Sequence, residues 1–165
     1  MVLIKEEFEQ KIHTYSDMIF RIAFNYFANR EDAEDVMQDT FLKLYQSERR
    51  FEDDEKLKAW LIRVTINKCK SMFRSPFRKR RTELPEYEWE NMIGEGDIEN
   101  DIVIKHTVYS AVMELPVKYR VVVYLYYYED YSIKETAEII GVKETTVQTQ
   151  LMRARKKLKD YLPAK

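Results

Sequence analysis

Two amphipathic helical patterns, separated by a single glycine, occupy residues 132–159. The first places Ile133, Ala137 and Ile140 on one face, and Ala137 is small enough for a second helix to cross closely. Gly141 follows, and glycine is the residue best suited to end a helix in a left-handed conformation. Two helices joined by a tight turn are typical of units that enter the major groove. We therefore predict a helix-turn-helix that binds double-stranded DNA.

The second pattern has an apolar stripe and an opposite face of mixed polar groups. The stripe consists of Val147, Leu151, Ala154 and Leu158. At ~100° per residue, the outward face combines hydroxyls, cations and one apolar side chain, with an amide on its flank. Such groups suit base edges and phosphates, although an ordinary helical hairpin with a solvated basic face would show the same pattern. The outward residues are Thr145, Gln148, Thr149, Met152, Arg153 and Lys156.

The start of this second helix lacks a good side-chain cap. The position expected to cap it is Lys143, which has no acceptor oxygen. Thr145 is the alternative cap if the helix begins later in the chain.

Composition favours an all-α fold. The 165 residues include only three glycines and four prolines, too few for a turn-rich β protein, while 45% hydrophobic residues suffice for a core. Cys69 is the single cysteine, so no intramolecular disulfide forms, which fits a reducing cytoplasm. The start has no basic segment followed by a long apolar one, and the longest aliphatic-aromatic run is too short to span a bilayer. We expect a cytoplasmic protein without a signal peptide or membrane insertion.

The net charge of −1 includes two adjacent blocks of opposite charge that cancel each other. Residues 61–81 hold eight cations and no acid, and residues 82–104 hold eight acids and no cation. The basic block suits a phosphate-binding surface. The acidic block, with one proline and two glycines, suits a linker that is also able to fold back over the basic surface, and both blocks have plain solvated surface as the alternative. We predict two small helical domains at 1–81 and 102–165, joined by an acidic linker at 82–101.

Helical periodicity predicts one helix over 4–27 and another over 30–46, with Asn29 as the cap of the second. The outer face of the second helix places one leucine among acidic and amide side chains. Such a face suits a protein interface better than water, although lone exposed leucines are common. The acids of this helix diverge and lack histidine or cysteine at ligand spacing, so we predict no metal site. The candidate interface consists of Asp35, Gln38, Asp39 and Leu42.

A third helix is predicted from about Leu57 to Arg74, after a charged loop over 47–56, with Ala59 and Phe73 among its buried residues. Its outer side combines a basic stripe with an aromatic ring and an amide. In a groove for single-stranded nucleic acid, cations follow the backbone, a ring stacks on a base and an amide reads a base edge. The alternative places the ring in the core and the cations in water. The stripe consists of Trp60, Arg63, Asn67, Lys70 and Arg74.

Two shorter helices are predicted between the acidic linker and the helix-turn-helix, at 102–115 and 117–129. The second is rich in tyrosine. Its periodicity assigns Tyr119, Tyr126 and one of Tyr127 and Tyr128 to the core.

In this order and spacing, the motifs resemble those of bacterial sigma factors. The segments 32–45 and 59–70 are similar to sigma region two, and 115–120, 133–137 and 147–158 are similar to region four. With two domains and a short linker over nearly the whole chain, the sequence resembles the extracytoplasmic-function (ECF) group. The resemblance implies a transcription initiation factor, not an enzyme, that needs no cofactor.

The resemblance also implies a role for each surface. The face around Leu42 would bind the clamp coiled coil of core RNA polymerase. The 47–56 loop with Trp60, Arg63 and Asn67 would capture the melted non-template strand at the minus-ten element, including one flipped base. The acidic linker would thread toward the RNA exit path. The recognition helix would read the minus-thirty-five element through Gln148, Thr149, Met152 and Arg153, with Arg155 and Lys156 on phosphates.

The implied partners are core RNA polymerase, promoter DNA in duplex and melted form, and an anti-sigma factor, which in this family is often membrane-bound. Lys143, Gln148 and Gln150 depart from the small hydroxyl and basic residues common at these positions in the family. The resemblance therefore does not imply a minus-thirty-five sequence. The low net charge fits a subunit that binds promoter DNA weakly alone and specifically within the holoenzyme.

Three other functions compete with this interpretation. A stand-alone helix-turn-helix regulator explains 132–159 but not the stripe from Trp60 to Arg74. An α-helical enzyme acting on nucleic acid would need a Ser-His-Asp, Cys-His or metal constellation, which the sequence does not offer. A structural adaptor would leave both basic faces unused.

Overall fold

The computed structural model describes residues 4–74 and 108–161, which form helices joined by short loops and contain no strand. The all-α prediction is confirmed. The predicted linker at 82–101, the cations at 78–81 and the first residues of the helix predicted at 102–115 lie outside the described residues. The chain divides into two compact units, Met1–Arg81 and Thr82–Lys165, and each is described by itself.

The first unit is a bundle of three helices: α1 at Lys5–Phe27, α2 at Arg30–Gln46 and α3 at Asp54–Phe73. Each helix packs against the other two. Fully burying an aliphatic or aromatic side chain contributes about 1.5–3 kcal/mol, so the central residues hold the bundle together. The largest fully buried side chains of this unit are Ile19, Ile22, Phe24, Val36, Leu61, Ile62 and Ile66.

A tight turn between α1 and α2 fixes the orientation of α2. Ala28 adopts a left-handed conformation (φ 55°) that ends α1. The Asn29 side chain then accepts a hydrogen bond from the Asp32 backbone N–H at 2.9 Å and donates to the Asp32 carboxylate at 2.8 Å. The predicted cap is confirmed, and it satisfies a backbone donor that the first helical turn leaves without a partner.

Helix α3 begins three residues earlier than predicted. The Asp53 side chain accepts a hydrogen bond from the Lys56 backbone N–H at 2.8 Å and caps the helix. Asp54 and Glu55 occupy its first turn, where the helix dipole favours acids. The Lys11 ammonium group lies 2.8 Å from the Asp54 carboxylate and ties this helix start to α1. The charged segment that was predicted as loop is therefore helical from Asp54 onward.

The buried face of α3 also differs from the prediction. Ala59 is only half-buried and Phe73 is 38% exposed. Because α3 packs against both α1 and α2, its apolar face is wider than a single stripe. The buried residues are Leu57, Leu61, Ile62, Thr65, Ile66 and Cys69.

The second unit contains a helical stretch over 108–113, α4 at Val117–Val123, a π-helical turn at Tyr124–Tyr128, α5 at Ile133–Ile140 and α6 at Glu144–Tyr161. Gly141 ends α5 with φ 84°, as predicted from the sequence. One core cluster joins α4, α5 and α6, and a second lies between 115–119 and α6. The buried members are Leu115, Tyr119, Val122, Ala137, Val147, Leu151 and Ala154.

The two helix-turn-helix helices begin differently. Ser132 caps α5 by accepting from the Glu135 N–H, while the Ser132 N–H donates to the Glu135 carboxylate, both at 3.0 Å. These bonds lower the pKa of Glu135. Helix α6 begins at Glu144, so Thr145 lies inside its first turn. The alternative in which Thr145 caps a later start is wrong.

The π-helical turn overturns one core prediction. Tyr127 and Tyr128 are 51% and 56% exposed, whereas Leu125 is fully buried. A π turn inserts one extra residue and so shifts the following side chains around the helix axis. The expected core tyrosine at 127 or 128 therefore faces outward.

Candidate protein- and nucleic-acid-binding surfaces

The outer face of α2 is exposed at all four predicted interface positions: Asp35, Gln38, Asp39 and Leu42. Leu42 is 52% exposed in the middle of this polar face. This helix face therefore presents one apolar side chain with acidic and amide groups around it, a composition suited to a charged helical partner.

Tyr45 extends this surface and is absent from the predicted interface. It is 50% exposed, and its ring packs edge-on against Phe8 of α1 with 5.4 Å between centroids. Asp35, Gln38, Leu42 and Tyr45 follow a 3-4-3 spacing, which is that of a helix seam facing another helix. The same spacing is visible in the sequence and would have identified Tyr45.

Asp39 differs from Asp35 because it already has a partner in the first unit. Its carboxylate lies 2.9 Å from the Lys68 ammonium group of α3. Both side chains are partly exposed, and such surface pairs contribute about 0–1 kcal/mol. The pair is therefore weak enough for a competing partner to replace.

The outer face of α3 brings all five predicted nucleic-acid residues onto one stripe. Arg63, Asn67 and Arg74 are exposed, while Trp60 and Lys70 are half-buried. The Arg74 guanidinium donates to the Lys70 carbonyl oxygen at 3.2 Å. Trp60 is thus at the edge of the surface and not in the core.

An aromatic pair forms where the loop before α3 meets this stripe. The Phe51 and Trp60 rings are 5.4 Å apart and tilted by 59°. The Arg49 guanidinium lies 6.0 Å from the centroid of the Phe51 ring. Arg49 and Phe51 lie in the predicted 47–56 loop but are not among the individually predicted residues, although a phenylalanine within a charged run is a visible signal. Together these groups offer ring faces and a cation, which suit unstacked bases.

The outer face of α6 is exposed at Thr145, Gln148, Met152, Arg153 and Lys156. Met152 is 61% exposed and is the main apolar side chain of that face. Thr149 is half-buried, and its hydroxyl donates to the Thr145 carbonyl oxygen at 2.9 Å. Because that proton is used within the helix, Thr149 offers a ligand an acceptor oxygen in this geometry.

Arg155 is held by the π-helical turn. Its guanidinium donates to the Tyr127 hydroxyl and lies 5.8 Å and 5.5 Å from the ring centroids of Tyr126 and Tyr127. The bond to Tyr127 raises the pKa of Arg155. Arginine is charged at physiological pH in any case, so this contact does not change the charge of Arg155. Its effect is to hold α6 against the π-helical turn.

Within residues 4–74 and 108–161, no group of three or more histidine, cysteine, aspartate or glutamate side chains is arranged to hold a metal ion. Among the described helices, none combines the length and apolarity needed to cross a bilayer.

Each of the two units matches a family model. Residues 12–81 match the family described as sigma-70 region 2, and residues 105–158 match the family described as sigma-70, region 4. The first match covers α3 and α2 with their outer faces, and the second covers the helix-turn-helix.

Similar proteins are ECF sigma factors. The chain is 30% identical to the ECF RNA polymerase sigma factor SigM of Mycobacterium tuberculosis, over 92% of this chain and 74% of that protein. It is 26% identical to SigW of Bacillus subtilis, over 96% and 90%. It is 30% identical to SigE of Mycolicibacterium smegmatis over 93% of this chain, but spans 61% of that protein.

Two solved structures share the fold. One is the sigma factor RpoE of Bartonella quintana in complex with the anti-sigma factor NepR, with a TM-score of 0.68 and 22% identity over 94% of this chain and 96% of that one. The other is CnrH in complex with the cytosolic domain of CnrY, with a TM-score of 0.66 and 24% identity over 95% and 88%.

Proposed function

The chain belongs to the ECF group of RNA polymerase sigma factors, and we propose that it binds core RNA polymerase and directs transcription initiation at its own set of promoters. The observation that carries this proposal is the presence of both sigma regions in one chain. A stand-alone helix-turn-helix regulator needs only the second unit and gives no reason for a region 2 domain. We assign residues 1–81 to region two, 82–101 to the linker and 102–165 to region four, in a cytoplasmic protein.

The polymerase-binding surface in this proposal is the outer face of α2. Asp35, Gln38, Asp39 and Leu42 are all exposed there, and Tyr45 extends the same seam. Exposed carboxylates steer a basic partner and fix its register, while the apolar side chains provide the area that binding removes from water.

The outer face of α3 holds the melted non-template strand. Arg63, Lys70 and Arg74 follow the backbone charge, and the Phe51–Trp60 pair provides ring faces against unstacked bases. Asn67 offers both a donor and an acceptor to the edge of a flipped base. The outer face of α6 reads the duplex at the minus-thirty-five element through Gln148, Met152 and Arg153.

An anti-sigma factor is a further partner in this proposal. RpoE of Bartonella quintana and CnrH share the fold, and each was solved in complex with a binding protein. The exposed apolar side chains of Leu42, Tyr45 and Met152 are suited to being covered by such a protein while it blocks polymerase and DNA.

Run-off transcription tests the proposal. Core polymerase mixed with the purified chain is expected to start RNA at discrete sites on genomic fragments, while core polymerase alone does not. Free protein is expected to bind the same duplexes weakly, because a net charge of −1 gives little nonspecific attraction to DNA. The absence of discrete starts on any template, or equal and steeply salt-dependent binding by free protein and holoenzyme, would contradict it.

Asn67→Ala is expected to slow promoter opening about tenfold, the cost of removing one hydrogen bond of about 1.4 kcal/mol to a captured base. Asn67 is exposed, so the fold should be retained. Permanganate reactivity of unpaired thymines near the start site measures opening, and duplex binding measures minus-thirty-five recognition, which should not change. Gln10→Ala removes an exposed amide from α1 and is the matched control. Permanganate patterns identical to those of the unaltered protein would refute the role of Asn67.

A further inference from the structure

An open pocket of about 280 Å³ lies between the start of α4 and the first turns of α6. Two cations, Lys118 of α4 and Arg153 of α6, line it together with Thr145 and Thr149. None of the described residues that line it is acidic. Lys118 is exposed and lies outside the helix-turn-helix, with its ammonium group 5.3 Å from the centroid of the Tyr119 ring.

The chemistry of this pocket is that of an oxyanion site. Two cations supply charge, and an arginine provides up to five donors, so Arg153 is able to serve the pocket and the neighbouring duplex together. The amide oxygen of Gln150 is buried in the wall and accepts no hydrogen bond from the described residues. This oxygen has almost no solvent-exposed area, so an anion in the pocket would contact the two cations and not this acceptor.

We propose that this pocket holds one backbone phosphate of the promoter duplex, gripped by Lys118 from α4 and Arg153 from α6. The inference rests on the proposed function, because it places the duplex on α6. A duplex phosphate is favoured over a free anion because the pocket opens beside Thr145 and Thr149, on the face that meets DNA. The contact sets the register of α6 along the groove, since phosphate contacts position a recognition helix while base contacts specify the sequence.

Lys118→Ala is expected to weaken binding of the holoenzyme to a duplex selected by that holoenzyme from a random pool. The affinity should fall about tenfold, and the slope of log affinity against log salt should become shallower by about 0.9, the value for one phosphate contact. Lys118→Arg keeps the cation and should keep the slope. Lys5→Ala removes an exposed lysine from the first unit and controls for net charge.

Neutral methylphosphonate linkages, introduced one at a time near the minus-thirty-five element, identify the phosphate. At one position the unaltered holoenzyme should lose about tenfold in affinity, while the Lys118→Ala holoenzyme loses nothing further. The proposal is overturned if Lys118→Ala binds like the unaltered chain, or if no linkage removes its effect. It is also overturned if Lys118→Ala instead lowers affinity for core polymerase, which would indicate an acidic protein segment in the pocket. RNA synthesis by the unaltered holoenzyme tests the proposed function separately.

Discussion

Asp35→Lys combined with Asp39→Lys is expected to abolish association with core polymerase and to reduce run-off transcription more than a hundredfold. The outer face of α2 carries both carboxylates beside exposed Leu42. Placing like charges against a basic partner costs several kcal/mol, and each ~1.4 kcal/mol is tenfold in affinity. Co-purification with tagged core polymerase measures the loss directly. Because both residues are exposed and the Asp39–Lys68 pair is weak, thermal unfolding of the first unit should change little.

Glu9→Lys combined with Asp17→Lys is the matched control for this charge reversal. Both residues are exposed on α1, so the net charge changes equally while the outer face of α2 is untouched. The control protein should co-purify with polymerase and support transcription. Unchanged co-purification of the Asp35 and Asp39 variant would show that polymerase binds another surface.

Leu151→Ala is expected to reduce stability, whereas Met152→Ala is expected to reduce DNA binding, although the two residues are neighbours on α6. Leu151 is 1% exposed in the core cluster with Val122 and Val147, so its truncation should destabilise the second unit by about 2–5 kcal/mol. Met152 is 61% exposed, and its truncation should change stability by less than about 0.5 kcal/mol. Met152→Ala should instead weaken binding of the holoenzyme to its promoter duplex about tenfold, through lost apolar contact with bases.

Amide hydrogen exchange in α5 and α6 measures the first effect, and duplex binding by holoenzyme measures the second. Exchange in the first unit serves as the internal reference, since its three helices have their own core. Fast exchange in the Met152→Ala protein would mean that the side chain supports the fold. Unchanged duplex binding by that protein would remove Met152 from the recognition surface.

Local sequence signals predicted the fold best where one or two residues determine the backbone conformation at a helix end. Asn29 and Gly141 were identified from the sequence alone, because a capping side chain and a left-handed glycine act within their own turns. The predicted start of α3 is too late, because the charged run before Leu57 has the composition of a loop. Asp53 is in fact a cap, and the acids after it lie where the helix dipole stabilises them.

Hydrophobic periodicity does not predict contacts between distant segments. The π-helical turn at Tyr124–Tyr128 shifts the phase of a helix by one residue, and no spacing rule anticipates that insertion. The contact of Arg155 with Tyr127 therefore appears only in three dimensions, as does the pairing of Asp39 with Lys68. The candidate surfaces themselves were predictable, since side chains left outside the apolar stripe of a helix share its solvent face.

The Asp39–Lys68 pair has a consequence for the order of assembly. It joins the helix that we assign to polymerase to the helix that we assign to the opened strand. If polymerase engages Asp39 as proposed, Lys68 would lose its counterion, and its ammonium group would then attract a nearby phosphate more strongly. By thermodynamic linkage, binding of the captured strand would then raise the affinity for polymerase by the same factor.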